Sequence, residues 1–360
     1  MKTAARGLGA ALVAGLTLGA GSAAYAGLEP APVIEPVPQG AFDLRPKFRM
    51  GQDRRVRLKL ESHETSPDLL AENEEGGGRK KGKPEAAGES EMNTWQEFVL
   101  VFRPVKVGEA GSEVDIVFES IKSKVEGPGV DDTFDSGSPA PKQTKPGSSP
   151  QSKDPLQQLE ALAKPPSLEE LMRPLVGETM TLTIDREGNI TDVRGGQKLV
   201  RALNPMAPSA MAQMGGDTPI RDLFKSIVGT PGKTHAKPGE SWSSATNLDV
   251  FPMGSTALRT DYTLGSVQGN AGTIAFRGGL KPREDASPGG GGLTISKAEY
   301  SGSTNWDQED GFARSMNAKQ ELHAELAIGQ SNVKIRQRQT VTMERLGDGA
   351  GGPKGPKRRE

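Results

Sequence analysis

The stretch VKIRQRQTVTM, residues 333–343, decides the fold class of this chain. Its apolar residues share one parity with two glutamines, in the order Val333, Ile335, Gln337, Gln339, Val341 and Met343. Lysine and arginine take the other parity. Successive side chains of a β-strand point to opposite faces, so a period of two residues predicts a strand with one buried and one solvated face. Antiparallel sheets permit this division.

The same period recurs elsewhere in the chain. Val56, Leu58 and Leu60 alternate with basic residues and predict an early strand. In the C-terminal half, alternation predicts a meander of strands over residues 242–250, 256–264, 273–277, 293–300, 312–328 and 333–343. The composition of 312–328 also permits a helix, but the alternation of its apolar residues and the hairpin spacing of its neighbours favour a strand.

Two hairpins are predicted from turn residues between β-prone runs. In the first, residues 95–107 are followed by a Gly-rich turn at 108–111 and by a second alternating run that begins at Val114. In the second, an alternating run ends at Ile184, the turn is 185–189 and the next strand begins at Ile190. Gly188 supplies the positive φ that such a turn requires.

Three short helices are predicted in the centre of the chain. A leucine-rich segment at residues 156–162 is ended by Pro165, and Ser167 with Glu170 forms a capping box that opens the second helix. The third follows Asp217. Its apolar stripe has helical spacing and is predicted to pack on the sheet, through Ile220, Leu223, Phe224 and Ile227.

The N-terminus has the features of a secretion signal. Lys2 and Arg6 precede an apolar run at residues 8–18, and small residues lead to an A-x-A site ending at Ala26. The run is too short to make a good membrane-spanning helix, which needs ~20 apolar residues. We therefore expect residues 1–26 to be a signal peptide and the protein to be exported, either periplasmic or secreted.

Composition divides the remaining chain into one patterned body and several polar segments. Residues 27–41 are predicted to be Pro-rich and extended, and residues 42–346 to form a single β-rich globular domain. Low apolar content predicts disordered inserts and a disordered basic tail, at 62–92, 137–154, 282–292 and 347–360.

The absence of cysteine excludes several classes of chemistry. With no Cys in the sequence, we expect no lipid anchor, no disulfide, no thiol nucleophile and no cysteine-based zinc site. Lys and Arg number 45 against 46 Asp and Glu, a balance that gives no electrostatic reason to expect nucleic acid as a partner. No later segment is apolar enough to suggest a transmembrane span.

No motif indicates catalysis. The chain lacks a G-x-S-x-G nucleophile motif, and the oxygen-bearing residues at 185–189 lack the bidentate Glu that completes a calcium loop. His235 is predicted to lie in an exposed loop, and the carboxylates of Asp307, Glu309 and Asp310 in a solvated turn. We therefore expect a protein that is not an enzyme and has no cofactor or metal.

Several short motifs carry a resemblance to a known family. They are Phe134-Asp135-Ser136, Leu175-Val176-Gly177, the hairpin end at 188–193, and Pro238-Gly239-Glu240-Ser241-Trp242. Over residues 48–346 the chain resembles a family of uncharacterised exported bacterial proteins and lipoproteins known only as a domain of unknown function. The resemblance implies no activity and no catalytic residues. Members often begin with a lipid-attached Cys, which this chain lacks. The order of elements is also similar to that of envelope lipoprotein carriers with a curved sheet.

These observations predict a mainly β (α+β) fold: a strongly twisted antiparallel sheet or half-open barrel with a few short helices packed on one side. The leading functional hypothesis is a non-catalytic envelope protein that binds an apolar ligand or another exported protein. Candidate cleft residues are Leu223, Phe224, Ile227, Trp242, Leu258 and Tyr262. Ordinary core is the alternative interpretation of these six. A scaffolding module without a ligand and an unrecognised hydrolase remain as alternative functions.

Overall fold

The computed structural model describes residues 40–67, 89–139, 167–199, 221, 224, 227–229, 232–250, 254–282, 293–328 and 331–347. The elements are β1 (Phe42–Asp43), β2 (Arg54–Pro67), β3 (Glu89–Gly108), β4 (Gly111–Gly127), β5 (Val130–Asp135), α1 (Leu168–Met172), a 3₁₀ helix (Arg173–Leu175), β6 (Thr179–Asp185), β7 (Ile190–Arg194), β8 (His235–Ala236), β9 (Ser241–Val250), β10 (Gly254–Gln268), β11 (Ala271–Pro282), β12 (Leu293–Asp307), β13 (Phe312–Ile328) and β14 (Ser331–Leu346). The predicted signal peptide, most of the Pro-rich segment and nearly all of the basic tail lie outside the described residues.

One antiparallel sheet of 12 strands dominates the fold. Its order is β7-β6-β4-β3-β2-β14-β13-β12-β11-β10-β9, and β5 pairs with the part of β4 that β6 leaves free. β1 and β8 form a separate two-stranded sheet. Within the described strands, β7 and β9 are the two ends of this path and do not pair with each other. The predicted mainly β, antiparallel fold is confirmed, as an open sheet.

The predicted strands are present and longer than alternation indicated. Every predicted strand of the C-terminal meander is a strand, including residues 312–328, and both predicted hairpins are formed. The structure corrects the predicted insert at 62–92, because β2 continues to Pro67 and β3 begins at Glu89. Backbone hydrogen bonds to the flanking strands do not require apolar side chains. The polar composition of these residues therefore led to an underestimate of the length of both strands. Residues 68–88 lie outside the described part.

The other predicted inserts lie mostly outside the described part of the chain. Pro282 is the last residue of β11, and residues 137–139 follow β5 directly as a turn. Residues 140–154 and 283–292 are not described.

The sheet is strongly bent towards the side that carries its core. Phe102 on β3 and Phe312 on β13 have ring centroids 5.4 Å apart, although β2 and β14 lie between their strands. In a flat sheet, three strand spacings of ~4.8 Å would separate these strands by ~14 Å. Phe224 joins the cluster, with its ring centroid 6.0 Å from that of Phe102. We call the side bearing these rings the inner face and the opposite side the outer face.

Residues 42–48 and 307–312 close one end of the inner face, which we call the packed end. Phe42, Leu44 and Phe48 are buried there, and the indole Nε1 of Trp306 donates to the backbone oxygen of Asp43 at 3.2 Å. The backbone N–H of Lys47 donates to the oxygen of Gly311. The N-terminal segment is therefore fixed to the β12–β13 turn.

Arg54 is the central polar residue of the packed end. Only 1% of it is exposed, and its guanidinium carbon lies 4.9 Å and 4.8 Å from the ring centroids of Phe48 and Phe312. It donates to the backbone oxygens of Lys47 and Asp310. Burial, and secondarily the charge of Arg345, lowers the pKa of Arg54 to about 10. The guanidinium thus joins two backbone segments inside an aromatic cluster.

Two residues of the packed end correct the sequence-based expectation of exposure. His235 lies in β8, paired with Asp43, and its side chain is 15% exposed rather than in an open loop. Asp307 is buried, and its carboxylate accepts from the backbone N–H groups of Glu309 and Asp310 and from Arg314. His235 is buried by pairing with the sequence-distant β1, whereas the carboxylate of Asp307 is held by its own turn and by Arg314.

The small helical layer agrees with the prediction where it is described. Ser167 and Glu170 form the predicted capping box, and α1 packs against β5, where the guanidinium of Arg173 lies 5.3 Å from the ring centroid of Phe134. The predicted helix at 156–162 lies outside the described residues. Of the described helices, none is long and apolar enough to cross a membrane.

Replacement of Arg54 tests the role of the packed end. Arg54→Met removes the donor from two buried carbonyls, so we expect a loss of roughly 3 kcal/mol in the free energy of unfolding. Arg55→Met is the matched control, because the Arg55 side chain is 39% exposed and its pair with Glu119 lies at the surface; its loss should stay below ~1 kcal/mol. Urea unfolding followed by circular dichroism measures both. Equal losses would contradict this role.

Candidate functional site on the inner face

The strand register aligns inner-face residues in rows that cross the sheet. Nearest the packed end, an apolar row is formed by Ile121, Phe98, Leu58, Met343, Met316, Thr304, Ile274 and Leu264. The next, which we call the aromatic row, contains Ser123, Gln96, Leu60, Val341, Ala318, Gly302, Phe276, Tyr262 and Trp242.

Two further rows lie beyond these. The polar row contains Val125, Thr94, Ser62, Gln339, Gln320, Tyr300, Gly278, Thr260 and Ser244. The last, which we call the glutamate row, contains Met92, Glu64, Gln337, Leu322 and Ala298. The inner face therefore changes from apolar to polar with distance from the packed end.

Four rings form an aromatic ladder across β9 to β12. Trp242 stacks on Tyr262 with centroids 5.5 Å apart and planes at 13°, Phe276 follows at 6.4 Å, and Tyr300 at 6.1 Å from Phe276. Tyr262 is buried, and this burial is the main cause that raises its pKa to about 12. Trp242, Phe276 and Tyr300 are half-buried. The ladder is thus a continuous apolar surface that is partly accessible.

Two glycines make room for the rings of the ladder. Gly302 lies opposite Phe276, and a Cβ added to Gly302 would lie 2.6 Å from Cζ of that ring. Gly278 lies opposite Tyr300, whose Cε1 would be 2.6 Å from an added Cβ. The rings therefore lie over bare backbone, an arrangement in which an aromatic side chain covers a strand glycine.

The polar row places uncharged hydrogen-bonding groups on a face that is otherwise apolar. Gln337 and Gln339 are both buried, and Nε2 of Gln337 donates to Oγ of Ser62 at 2.9 Å. The Oε1 atom of Gln339, in the polar row, and the Oγ atom of Ser123, in the neighbouring aromatic row, are buried without a hydrogen-bond partner in the described structure. Buried polar atoms without partners are unfavourable, so their presence on this face is a feature to be explained.

Glu64 is the charged residue of these rows. It is 8% exposed, and burial alone raises its pKa above the ordinary value of 4.5. Its neighbours in register, Met92 and Gln337, carry no charge. The inner-face arginines, Arg54 and Arg345, lie at the packed end and bond to Asp310 instead. Within the described residues, the glutamate, polar and aromatic rows thus carry one ionisable carboxyl.

The outer face of the same strands has the opposite character. Arg57 and Lys59 lie within 4 Å of Glu97, and Nζ of Lys297 lies 2.6 Å from the carboxylate of Glu321. These partly exposed pairs join opposite charges on neighbouring strands, β2 with β3 and β12 with β13. Charged pairs of this kind contribute solubility more than stability. The uncharged rows are therefore a property of the inner face.

The structure separates the six candidate residues into two groups. Phe224 and Ile227 have helical backbone and are fully buried in the core, whereas Trp242 and Tyr262 stack in the aromatic ladder. Leu258 lies on the inner parity of β10, opposite Thr246 and Leu280, and Leu223 lies outside the described residues. The ladder therefore contains two of the six.

Sequence analysis missed half of the ladder and the whole polar row as a site. Phe276 and Tyr300 lie in predicted strands, but their proximity depends on a register that a sequence does not reveal. The signal for the polar row was visible in Gln337 and Gln339, which share the parity of the buried residues of β14. A glutamine pair on a buried face indicates either hydrogen-bond partners or a ligand.

The histidines of the described chain and the acidic hairpin turn at residues 185–189 have partners within the protein. The described residues contain no group of three His, Asp or Glu side chains that could hold a metal ion. Nδ1 of His63 contacts Asn93 at 2.7 Å, and Nε2 of His323 contacts Glu321 at 3.0 Å on the outer face. The oxygen-bearing residues at 185–189 bond to one another in the hairpin turn.

The pH dependence of stability tests the burial of Glu64. Because its folded-state pKa is raised, the folded protein binds this proton more tightly than the unfolded chain, and stability is lost as pH rises from about 4.5 through the folded pKa. Glu64→Gln should therefore be more stable than the unmodified protein at pH 8 and nearly equal to it at pH 4. Urea unfolding at both pH values measures this, and Glu61→Gln, at an exposed position of the same strand, should show no gain.

A methyl group at Gly302 tests the packing of the ladder. Gly302→Ala should reduce the free energy of unfolding by about 2 kcal/mol, because the added carbon overlaps the Phe276 ring and the backbone of β13. Gly108→Ala is the control, since nothing lies within 4 Å of the position that its Cβ would occupy. Thermal unfolding measures both, and an undiminished stability for Gly302→Ala would show that the rings do not lie over this glycine.

A sequence model described as a family of unknown function, DUF6263, matches residues 110–313. The match spans more than half of the 360 residues, so the chain belongs to this family. The predicted resemblance to a domain of unknown function is thereby confirmed. No curated protein sequence matches the chain.

Solved structures show only a distant likeness. Lipovitellin, in a structure titled for its lipid–protein interactions, is 12% identical with a TM-score of 0.38, and the match covers 85% of this chain but 27% of lipovitellin. The translocator domain of the autotransporter NalP from Neisseria meningitidis is 12% identical with a TM-score of 0.19, and the match covers 82% of this chain and 89% of that domain. OpdQ from Pseudomonas aeruginosa is 9% identical with a TM-score of 0.20, and the match covers 82% of this chain and 99% of OpdQ. Scores this low carry no inference for this chain.

Proposed function

We propose that this member of the DUF6263 family is an exported, non-catalytic envelope protein that binds an amphipathic ligand on the inner face of its sheet. The apolar part of the ligand lies along the aromatic ladder, and its polar part reaches the polar row. The observation that carries this proposal is the partly accessible ladder directly beside a row of uncharged hydrogen-bonding side chains.

The ladder supports the apolar half of the proposal. Aromatic side chains contribute large buried areas, 150–250 Å² each when covered, and the free energy of binding follows the apolar area removed from water. Trp242 and Tyr300, at the two ends of the ladder, are half-buried and so retain surface that a ligand can cover. Ligand sites are commonly lined in this way, by apolar and aromatic residues with few polar groups.

The polar row supports the polar half. Its glutamine and hydroxyl side chains can donate and accept hydrogen bonds without carrying charge, which fixes the orientation of a ligand at little electrostatic cost. The unpartnered Oε1 of Gln339 is an acceptor for a ligand donor in this row. A filled structural core would favour apolar residues at these positions.

The non-catalytic assignment rests on the composition of the rows. General acid–base catalysis needs titratable groups within hydrogen-bond reach of the reacting atoms, and hydrolases commonly pair a nucleophile with a base. The described rows offer one carboxyl, that of Glu64, and contain no histidine, lysine or arginine beside it. Export is proposed from the signal-like features of residues 1–26.

Binding of a neutral amphiphile tests the proposal. The protein is titrated with dodecyl maltoside below its critical micelle concentration, and binding is followed by calorimetry. Trp242→Ala removes one end of the ladder and should weaken binding about tenfold, the equivalent of ~1.4 kcal/mol. Trp95→Ala is the matched control, because Trp95 lies on the outer parity of β3, opposite Glu61 and Lys124; it should change the affinity less than twofold.

Two outcomes would overturn the proposal. Equal binding by Trp242→Ala and the unmodified protein would place the amphiphile elsewhere, and an absence of binding would favour a scaffolding module. Native mass spectrometry of protein purified from its own host adds an independent readout, in which a co-purifying amphiphile supports a carrier.

A further inference from the structure

We propose that Glu64 is the recognition group for a cationic head, so that the ligand of this site is an amphiphile carrying a protonated amine. This inference rests on the proposed function and names the chemical class of its ligand. The juxtaposition that carries it is a buried carboxylate, with no ion-pair partner among the described residues, one row away from a row of neutral hydrogen-bonding side chains.

Among the residues that the structure describes, no positively charged side chain pairs with Glu64. Its neighbours in register on β3 and β14 are Met92 and Gln337, and the adjacent members of the polar row are Ser62, Thr94 and Gln339. The side chain of Gln337 is already committed to Ser62 through its Nε2 donor. A carboxylate taken out of water without a partner is strongly unfavourable, and a bound cation offsets that cost.

The neighbouring groups add hydrogen-bond acceptors for the same head. An ammonium group carries donors only, so it is best received by oxygens, and the unpartnered Oε1 of Gln339 lies diagonally across from Glu64 in the adjoining row. An anionic head would meet the carboxylate with like charge. The site thus discriminates between cationic and anionic amphiphiles of the same chain length.

The position of the ladder sets the length of the ligand. Tyr300 on β12 is separated from β2 by β13 and β14, which corresponds to about 14 Å along the sheet at ~4.8 Å per strand. A linear chain that leaves Glu64 therefore crosses the polar row before it reaches the first ring of the ladder. Tyr262 and Phe276 then continue the apolar surface towards Trp242.

Three probes of one chain length separate charge recognition from apolar binding. Dodecylammonium, dodecanoate and dodecyl maltoside are titrated by calorimetry at pH 8, below their critical micelle concentrations. The unmodified protein should bind the cation at least tenfold more tightly than the anion. Glu64→Gln, which keeps shape and removes charge, should weaken cation binding at least tenfold and change dodecyl maltoside binding less than twofold. Glu61→Gln, at an exposed position of the same strand, should alter neither.

The outcomes distinguish this inference from the proposed function. Unchanged cation binding by Glu64→Gln, or preferential binding of dodecanoate by the unmodified protein, would overturn the recognition role of Glu64. If Trp242→Ala still weakened dodecyl maltoside binding in that case, the proposed function would stand. Preference for dodecyl maltoside over the cation at pH 8 would indicate that a protonated Glu64 acts as a hydrogen-bond donor to a neutral head, and would also overturn the inference.

Discussion

The antiparallel pairing from β4 to β9, which keeps one register through the four inner-face rows, is the constraint on which the rest of the structure depends. Because each strand pairs with the next in a fixed register, the inner parity of one strand aligns with the inner parity of its neighbour across the sheet. A shift of one residue in any pair would send that strand's core residues to the solvent. The cross-strand rows, and any site made from them, follow from this register.

Curvature gives those rows a common interior. The contact between Phe102 and Phe312 across two intervening strands shows how far the sheet bends at the packed end, and Arg54 holds that end together by bonding two backbone segments. The apolar row beside it supplies the stability of the fold. The rows farther out contribute less, since Gln339 and Glu64 replace apolar residues there. Such local departures from good packing are typical of sites shaped for binding.

Alternation in the sequence was sufficient to predict the strands, because a period of two residues depends only on local backbone geometry. It could not predict the aromatic ladder, since Trp242 and Tyr300 meet their neighbours through pairing across four strands. His235 was predicted to be exposed because its partner, Asp43, lies far away in the sequence. Asp307 was predicted to be exposed because composition does not show that the turn brings backbone N–H groups onto its carboxylate. The glutamines of β14 were the one local signal of the polar row, and they become informative only when Glu64 is found beside them.

The central claim is that an alkyl chain lies on the inner face of β9 to β12, and photo-cross-linking tests it most directly. A dodecyl amine bearing a terminal diazirine is bound to the protein and irradiated, and the modified residues are mapped by mass spectrometry. The account predicts adducts at the end of the ladder nearest to Glu64, at Tyr300 and Phe276. Adducts on outer-face residues of the same strands, such as Ser243 or Arg277, would contradict it.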